Sequence, residues 1–135
     1  MKKLIKQHKE SQGSMNDLLM YIWIRGKPRL IKIYSTIVFL IKSKFYGIRY
    51  AGGGSFFGRV DITRAPYSSI KIGKDVVMVS SSWRASASSI FAPVKIHTHS
   101  STSIIEIGDK VGMNGTSIVS RSRKISIGSG TQIAS

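Results

Sequence analysis

The chain has 135 residues, no cysteine, and 21 Lys and Arg against 6 Asp and Glu. This length fits one domain, and the lack of cysteine excludes disulfides and thiolate metal sites. The formal net charge of +15 indicates a polyanionic partner, either a nucleic acid, an anionic membrane surface or a phosphate-bearing small molecule. Hydrophobic residues make up 41% of the chain, enough to bury a core, so we expect it to fold.

The front of the chain is the more basic part. Residues 1–50 hold eleven Lys and Arg against two acids, whereas residues 51–135 hold ten against four. Met1-Lys2-Lys3 is similar to the start of a signal peptide, but charges interrupt the segment that should be apolar, and no small-residue cleavage site follows. The longest apolar runs, 18–24 and 33–41, fall short of the roughly 18 residues that span a bilayer. We therefore expect a cytoplasmic protein without a transmembrane helix.

Residues 1–50 form a predicted N-terminal segment that is both basic and apolar. Apolar residues recur in it at steps of three and four, as in Leu18, Leu19 and Ile22, which is typical of a helix. Gly26-Lys27-Pro28 interrupts the pattern, so we predict two short helices. Their apolar faces either pack on the rest of the protein or form an interfacial pair, located at the inner face of the membrane, in which residues 18–44 contact anionic headgroups.

Residues 51–135 form the predicted repeat domain, where the helical period disappears after a glycine run. One phrase occurs there three times: Ile70-Lys71-Ile72-Gly73-Lys74, Ile105-Glu106-Ile107-Gly108-Asp109 and Ile125-Ser126-Ile127-Gly128-Ser129. Between these phrases aliphatic residues recur about every six positions, and six residues suit one flat side of a triangular coil of about 18.

This periodicity predicts the fold class. We expect an all-β fold, a parallel β-helix of about four coils preceded by the two short helices. Stacked coils place each strand beside its copies above and below, and a single coil cannot bury its own interior. The predicted core contains Ile107, Met113, Val119, Ile125 and Ile127.

At these phrases the chain resembles the hexapeptide-repeat acyltransferases, whose domain is a left-handed parallel β-helix. The left hand comes from the resemblance alone, since parallel crossovers are generally right-handed. More narrowly, residues 58–62, 69–73 and 105–118 look like the sugar O-acetyltransferases of surface-polysaccharide gene clusters. The resemblance covers about residues 45–135. It implies a cytoplasmic homotrimer that moves an acetyl group from acetyl-CoA to a carbohydrate hydroxyl, with each active site between two subunits.

The resemblance also implies one histidine as general base, in an Asp-x-Asp-x-His-like segment shortly after the coil at residues 127–135. A neutral imidazole near pH 7 suits that task. The sequence ends before such a segment, so we expect this histidine after Ser135 and expect the 135-residue chain to be inactive by itself.

His97 and His99 are the substitute candidates for the catalytic base. They precede the second repeat phrase, where the family usually has variable loop residues. Their spacing places both on one face of a strand, as a metal site requires, but a third ligand is not evident and we expect no metal. An exposed or hydrogen-bonded loop pair is the alternative.

Three further positions are candidate ligand contacts. Arg121, Arg123 and Lys124 form a basic cluster, which is either a solvated edge or a contact for the phosphates of acetyl-CoA. Asn114 is the candidate contact for the acceptor sugar. Asn114-Gly115-Thr116 also matches a glycosylation sequon, but without a secretory signal we interpret it as a coil corner at which glycine takes a positive φ.

Two other function classes remain open. One is a noncatalytic protein, either a basic trimeric scaffold or a membrane-surface binding module. The other is a nucleic-acid binder, which the charge permits. We expect no nucleic-acid partner, because the aromatic residues show no recognisable stacking motif.

Overall fold

The computed structural model describes residues 15–82 and 90–134, and within them one long helix precedes eleven short strands. The helix, α1, is Met15–Phe45. The strands are β1 (Arg49–Tyr50), β2 (Ser55–Phe57), β3 (Asp61–Thr63), β4 (Ser69–Ile72), β5 (Val77–Val79), β6 (Lys95–Thr98), β7 (Ile104–Ile107), β8 (Gly112–Asn114), β9 (Ser117–Ser120), β10 (Lys124–Ile127) and β11 (Gln132–Ile133).

The prediction of two helices is wrong, because α1 continues through Gly26 and Pro28. Proline inside a helix removes one backbone donor and costs about 3 kcal/mol. The apolar and helix-forming residues on both sides offset that cost, and the stretch carries no residue that would cap and restart a helix. Pro28 therefore does not end the helix, although the local chemistry of proline predicts that it would.

The strands form three parallel sheets in which each strand pairs with the strand three places along the chain. Sheet A has the order β1-β4-β7-β10, sheet B β11-β8-β5-β2 and sheet C β3-β6-β9. Three consecutive strands thus make one coil with a strand on each side. There are three complete coils and two strands of a fourth in the described residues, an arrangement consistent with a parallel β-helix.

The three repeat phrases lie directly above one another in sheet A. Ile70 pairs with Ile105 and Ile105 with Ile125, while Ile72, Ile107 and Ile127 form the neighbouring column. The isoleucine side chains of the first two phrases are 0–3% exposed, and those of Ile125 and Ile127 are partly buried against the same core. The repeat is therefore a stack of inward-facing side chains, as its spacing predicted.

The coils are longer and less regular than the predicted 18 residues. Phe56, Met78, Met113 and Ile133 stand in register in sheet B, so successive coils take 22, 35 and 20 residues. The extra length of the middle coil lies between β5 and β6. Residues 83–89 of that stretch are outside the described range.

One predicted core residue is wrong. Val119 is 38% exposed, and its neighbour Ile118 is buried in register with Ile96. Because successive side chains of a strand point to opposite faces, a slip of one residue in the corner after β8 exchanges the two positions. The strict period of six ends at Met113.

Glycine follows the second isoleucine of each repeat phrase, and at Gly73 and Gly108 neighbouring coils approach closely. A Cβ on Gly73 would lie 2.5 Å from the carbonyl carbon of Gly108, and one on Gly108 would lie 2.6 Å from the backbone nitrogen of Ser129. Both distances are far inside van der Waals contact with backbone, which cannot move aside cheaply. Stacking thus requires the glycines of the first two phrases, whereas a Cβ on Gly128 would meet only Thr131 Oγ1 at 3.9 Å.

The second half of α1 covers the first coil. Ser35, Phe39 and Ser43 are its buried residues, spaced four apart on one stripe. The ring of Phe39 stacks on Phe56 at 3.9 Å and meets Tyr50 edge-on at 5.4 Å. Ser35 Oγ accepts a hydrogen bond from the backbone nitrogen of Gly58 at 3.0 Å. This aromatic cluster closes one end of the core.

Candidate functional site

The outward face of sheet C brings together a carboxylate, an ammonium group and an imidazole. Asp61 on β3 lies beside Lys95 and diagonally from His97, both on β6. The Nε2 atom of His97 is 3.3 Å from Asp61 Oδ1, and Lys95 Nζ is 4.0 Å from Asp61 Oδ2. The carboxylate therefore sits between an imidazole and an ammonium group.

The contact between His97 and Asp61 is close but not aligned as a hydrogen bond. His97 Nε2 is buried and has no hydrogen-bond partner among the described residues. The imidazole as a whole remains 20% exposed, and the ring of His99 lies 6.2 Å away. An imidazole beside a carboxylate has the composition of a general base with its orienting group.

His97 and His99 differ in their surroundings. His97 belongs to β6 and faces Asp61, whereas His99 follows the strand, is exposed, and donates its backbone N–H to the carbonyl of Ser120. The sequence placed both on one face of a strand, and the rings do lie near each other. The sequence alone did not indicate Asp61 as a site residue, because its partner His97 lies one full coil later in the chain.

Sheet A carries a second polar cluster on its outward face, centred on Glu106. Its carboxylate contacts Lys124 Nζ at 2.6 Å and Lys71 Nζ at 3.2 Å. Hydrogen bonds from Lys124 and then Lys71 hold the pKa of Glu106 below its ordinary value. A shallow groove of about 570 Å³ runs along this face, and Arg49, Lys71 and Glu106 are among its lining residues.

The basic cluster predicted to bind acetyl-CoA separates into two kinds of residue. Lys124 starts β10 and is paired with Glu106. Arg121 and Arg123 lie in the corner between β9 and β10, are exposed, and form no ion pair within residues 15–82 and 90–134. These two guanidinium groups keep their donors available for an anionic ligand.

Asn114, the predicted sugar contact, is half-buried at the end of β8. Its carbonyl oxygen accepts a hydrogen bond from Thr116 Oγ1 at 3.1 Å, and Gly115 has φ +54°. The predicted corner with a positive φ at glycine is confirmed. The role of Asn114 toward a sugar stays a prediction.

Within the described part of the chain, no group of three or more His, Asp or Glu side chains is arranged to hold a metal ion. The two clusters on sheets A and C each combine one carboxylate with cationic or imidazole groups.

α1 presents an unusual surface away from the strands. Thirteen of the seventeen exposed large hydrophobic side chains among the described residues belong to it. A groove of about 650 Å³ lies where α1 meets the first coil, lined by Leu30, Tyr34, Lys42 and Arg59 among others. No helix in the described ranges has the length and apolarity needed to cross a membrane.

Comparison with known proteins returns no match, whether to protein-family models, to curated proteins or to solved structures.

Proposed function

We propose that the protein is a left-handed parallel β-helix of the hexapeptide-repeat acyltransferase type. Its proposed activity is transfer of the acetyl group of acetyl-CoA to a carbohydrate hydroxyl in surface-polysaccharide synthesis. The observation that carries the proposal is the register of the three Ile-x-Ile-Gly phrases, which stack as equivalent corners of successive coils.

The stacked corners support the proposal because they explain both features of the repeat. The isoleucine pairs pack into or against the core, and Gly73 and Gly108 each admit the next coil at a distance that forbids a Cβ. An open parallel sheet flanked by helices would require neither a glycine at every third strand end nor pairing at a constant interval of three strands.

The proposed chemistry is a direct transfer. The acceptor hydroxyl oxygen attacks the thioester carbonyl, a base takes the hydroxyl proton, and the carbon–sulfur bond breaks to release the thiol of coenzyme A. We place that base in the histidine that the resemblance expects after Ser135. Arg121 and Arg123, exposed on the corner before β10, are the proposed contacts for the coenzyme phosphates, and Asn114 is the proposed sugar contact.

The test measures coenzyme A release in the presence of polysaccharide sugars for two forms, residues 1–135 and the chain extended to the end of its reading frame. We expect transfer by the extended form alone, with loss of about 10²- to 10⁴-fold on replacing its added histidine by alanine. Transfer by neither form would overturn the proposal.

A matched pair of variants locates the base. His97→Ala removes the imidazole beside Asp61, while His99→Ala removes the exposed neighbour. We expect neither to change transfer by the extended form. Activity in residues 1–135 that His97→Ala abolishes and His99→Ala spares would move the base to the Asp61–His97 pair.

The proposed assembly is a homotrimer with active sites between subunits. Analytical ultracentrifugation measures the mass in solution, and a monomer at concentrations where transfer is observed would contradict a site shared between copies.

A further inference from the structure

The outward face of α1 is a continuous apolar stripe. Ile37 and Ile41 each lie two residues from the buried Phe39, and two residues cover roughly 200° of a helix, so both point away from the strands. The same side of the helix carries further exposed aliphatic side chains, at Leu19, Leu30, Ile33 and Leu40. From Leu19 to Ile41 the stripe is about 33 Å long.

No packing among residues 15–82 and 90–134 explains this stripe. In α1 only Ser35, Phe39 and Ser43 are buried, and none of the residues 15–34 is. An exposed apolar surface of this extent on a soluble monomer is rare and marks an interaction site.

Charge selects the partner. α1 holds six Lys and Arg against one Asp, and Lys27 and Arg29 emerge on opposite flanks of the stripe. Long cationic side chains can lie along an apolar surface while their charged ends reach phosphate groups. A second copy would meet this surface with the same positive charge, which opposes association, whereas an anionic bilayer complements it.

An aromatic residue in the first half of α1, Trp23, has the chemistry of an interface. Arg25 lies over the ring of Tyr21 at 5.0 Å, and Lys27 lies over the ring of Trp23 at 5.6 Å. Tyr and Trp rings are enriched at the headgroup level of membranes, where one end is apolar and the other wet. Trp23 lies 16 residues before Phe39, about 160° around the helix, so the Trp23–Lys27 pair is on the side of the stripe and combines a ring for that level with a cation for lipid phosphate. Tyr21 lies five full turns from Phe39, on the side of the strands, and contributes no argument for the membrane.

We propose that α1 docks lengthwise on the surface of an anionic lipid bilayer, with the stripe from Leu19 to Ile41 in the acyl boundary and the cations at the headgroups. This is the geometry of an interfacial amphipathic helix, which lies in the plane of the membrane. The buried stripe of Ser35, Phe39 and Ser43 would hold the strands on the water side. The inference is independent of acetyl transfer.

Flotation with lipid vesicles tests the proposal. Vesicles of equimolar phosphatidylcholine and phosphatidylglycerol should carry the protein upward, vesicles of phosphatidylcholine alone should carry much less, and added salt should weaken the binding. The double variant Ile33→Glu/Ile37→Glu should bind at least about tenfold more weakly. The matched control is Phe91→Glu, which changes a 96% exposed ring outside α1 and should bind like the unaltered chain.

Two control measurements show whether a loss of vesicle binding has another cause. Circular dichroism should show that the double variant keeps its fold, since both positions are exposed. Analytical ultracentrifugation of the same variants reports self-association. Absence of flotation, equal flotation with both vesicle types, or a stripe variant that dissociates an oligomer without changing flotation would each overturn the proposal.

Discussion

α1 and the stack of strands use their apolar residues in opposite ways. In the strands, the isoleucines of the first two repeat phrases are 0–3% exposed. In α1, by contrast, Ile37 is 52% exposed and Ile41 is 64% exposed. Both regions are rich in isoleucine, so composition does not separate them. What differs is the partner: the strands bury their side chains against one another, and α1 buries only the stripe around Phe39.

This contrast shows that an apolar sequence pattern predicts that side chains will be buried but does not predict which surface will bury them. A coil of strands satisfies that need within the chain, because each rung covers the next. A single helix lying on one end of the stack can bury only one stripe, and its remaining apolar surface is available to a partner.

The largest expected difference between the two regions comes from placing the same charged residue in each of them. Ile107→Asp buries an unpaired carboxylate at a position 3% exposed and should cost more than about 5 kcal/mol, enough to unfold the strands. Ile37→Asp on α1 should leave the stability nearly unchanged. Urea unfolding followed by circular dichroism measures both, and equal losses would contradict the assigned core.

The next largest effect concerns the contact that joins the two regions. Phe39→Ala removes a ring that is 2% exposed and stacked on Phe56, and should cost about 3–5 kcal/mol. Phe45→Ala, at a ring 82% exposed, is the matched control and should have little effect. Thermal unfolding measures the two variants. Similar stability of both would mean that α1 does not cover the first coil.

A smaller effect sharpens the comparison inside the strands. Gly73→Ala places a Cβ against the backbone of Gly108 and should cost about 1–3 kcal/mol. Gly128→Ala changes the same position of the last phrase, where the nearest side-chain atom is 3.9 Å away, and should be near neutral. Denaturant midpoints measure the pair. A neutral Gly73→Ala would show that the coils do not approach as closely as described.

The smallest effect concerns the surface of sheet A. The pKa of Glu106 lies below its ordinary value of 4.5 because Lys124 and Lys71 stabilise the carboxylate. A lowered pKa in the folded state contributes stability above pH 4.5, and the contribution is lost as the pH falls through that lowered pKa. Glu106→Gln should therefore lower the unfolding midpoint slightly at neutral pH and not at pH values below the lowered pKa. A difference that persists unchanged at low pH would contradict an electrostatic origin.

Salt provides the control for this surface pair. The lysines are about half exposed, so added salt should shrink the difference between Glu106→Gln and the unaltered chain at neutral pH. A difference that does not respond to salt would indicate a packing role for Glu106.

What the sequence by itself determined is the part of the structure that repeats. The four residues of Ile-x-Ile-Gly carry both the inward side chains and the corner glycine, so copies of the phrase predict stacked parallel strands without knowledge of distant contacts. The glycine of Asn114-Gly115 is another local case, because a positive φ is favoured by the residue type itself.

Only the tertiary structure determined how many residues separate successive coils and which side chains come into contact on the outer faces of the sheets. Val119 and Ile118 exchange faces through a slip of one residue in a corner, and α1 passes Pro28 because the helix as a whole outweighs one lost hydrogen bond. Asp61 meets His97, and Glu106 meets Lys71 and Lys124, only because coils of 22, 35 and 20 residues bring separated strands into register. Such contacts depend on the total length of the corners between the paired strands, and local conformational preferences do not specify that length.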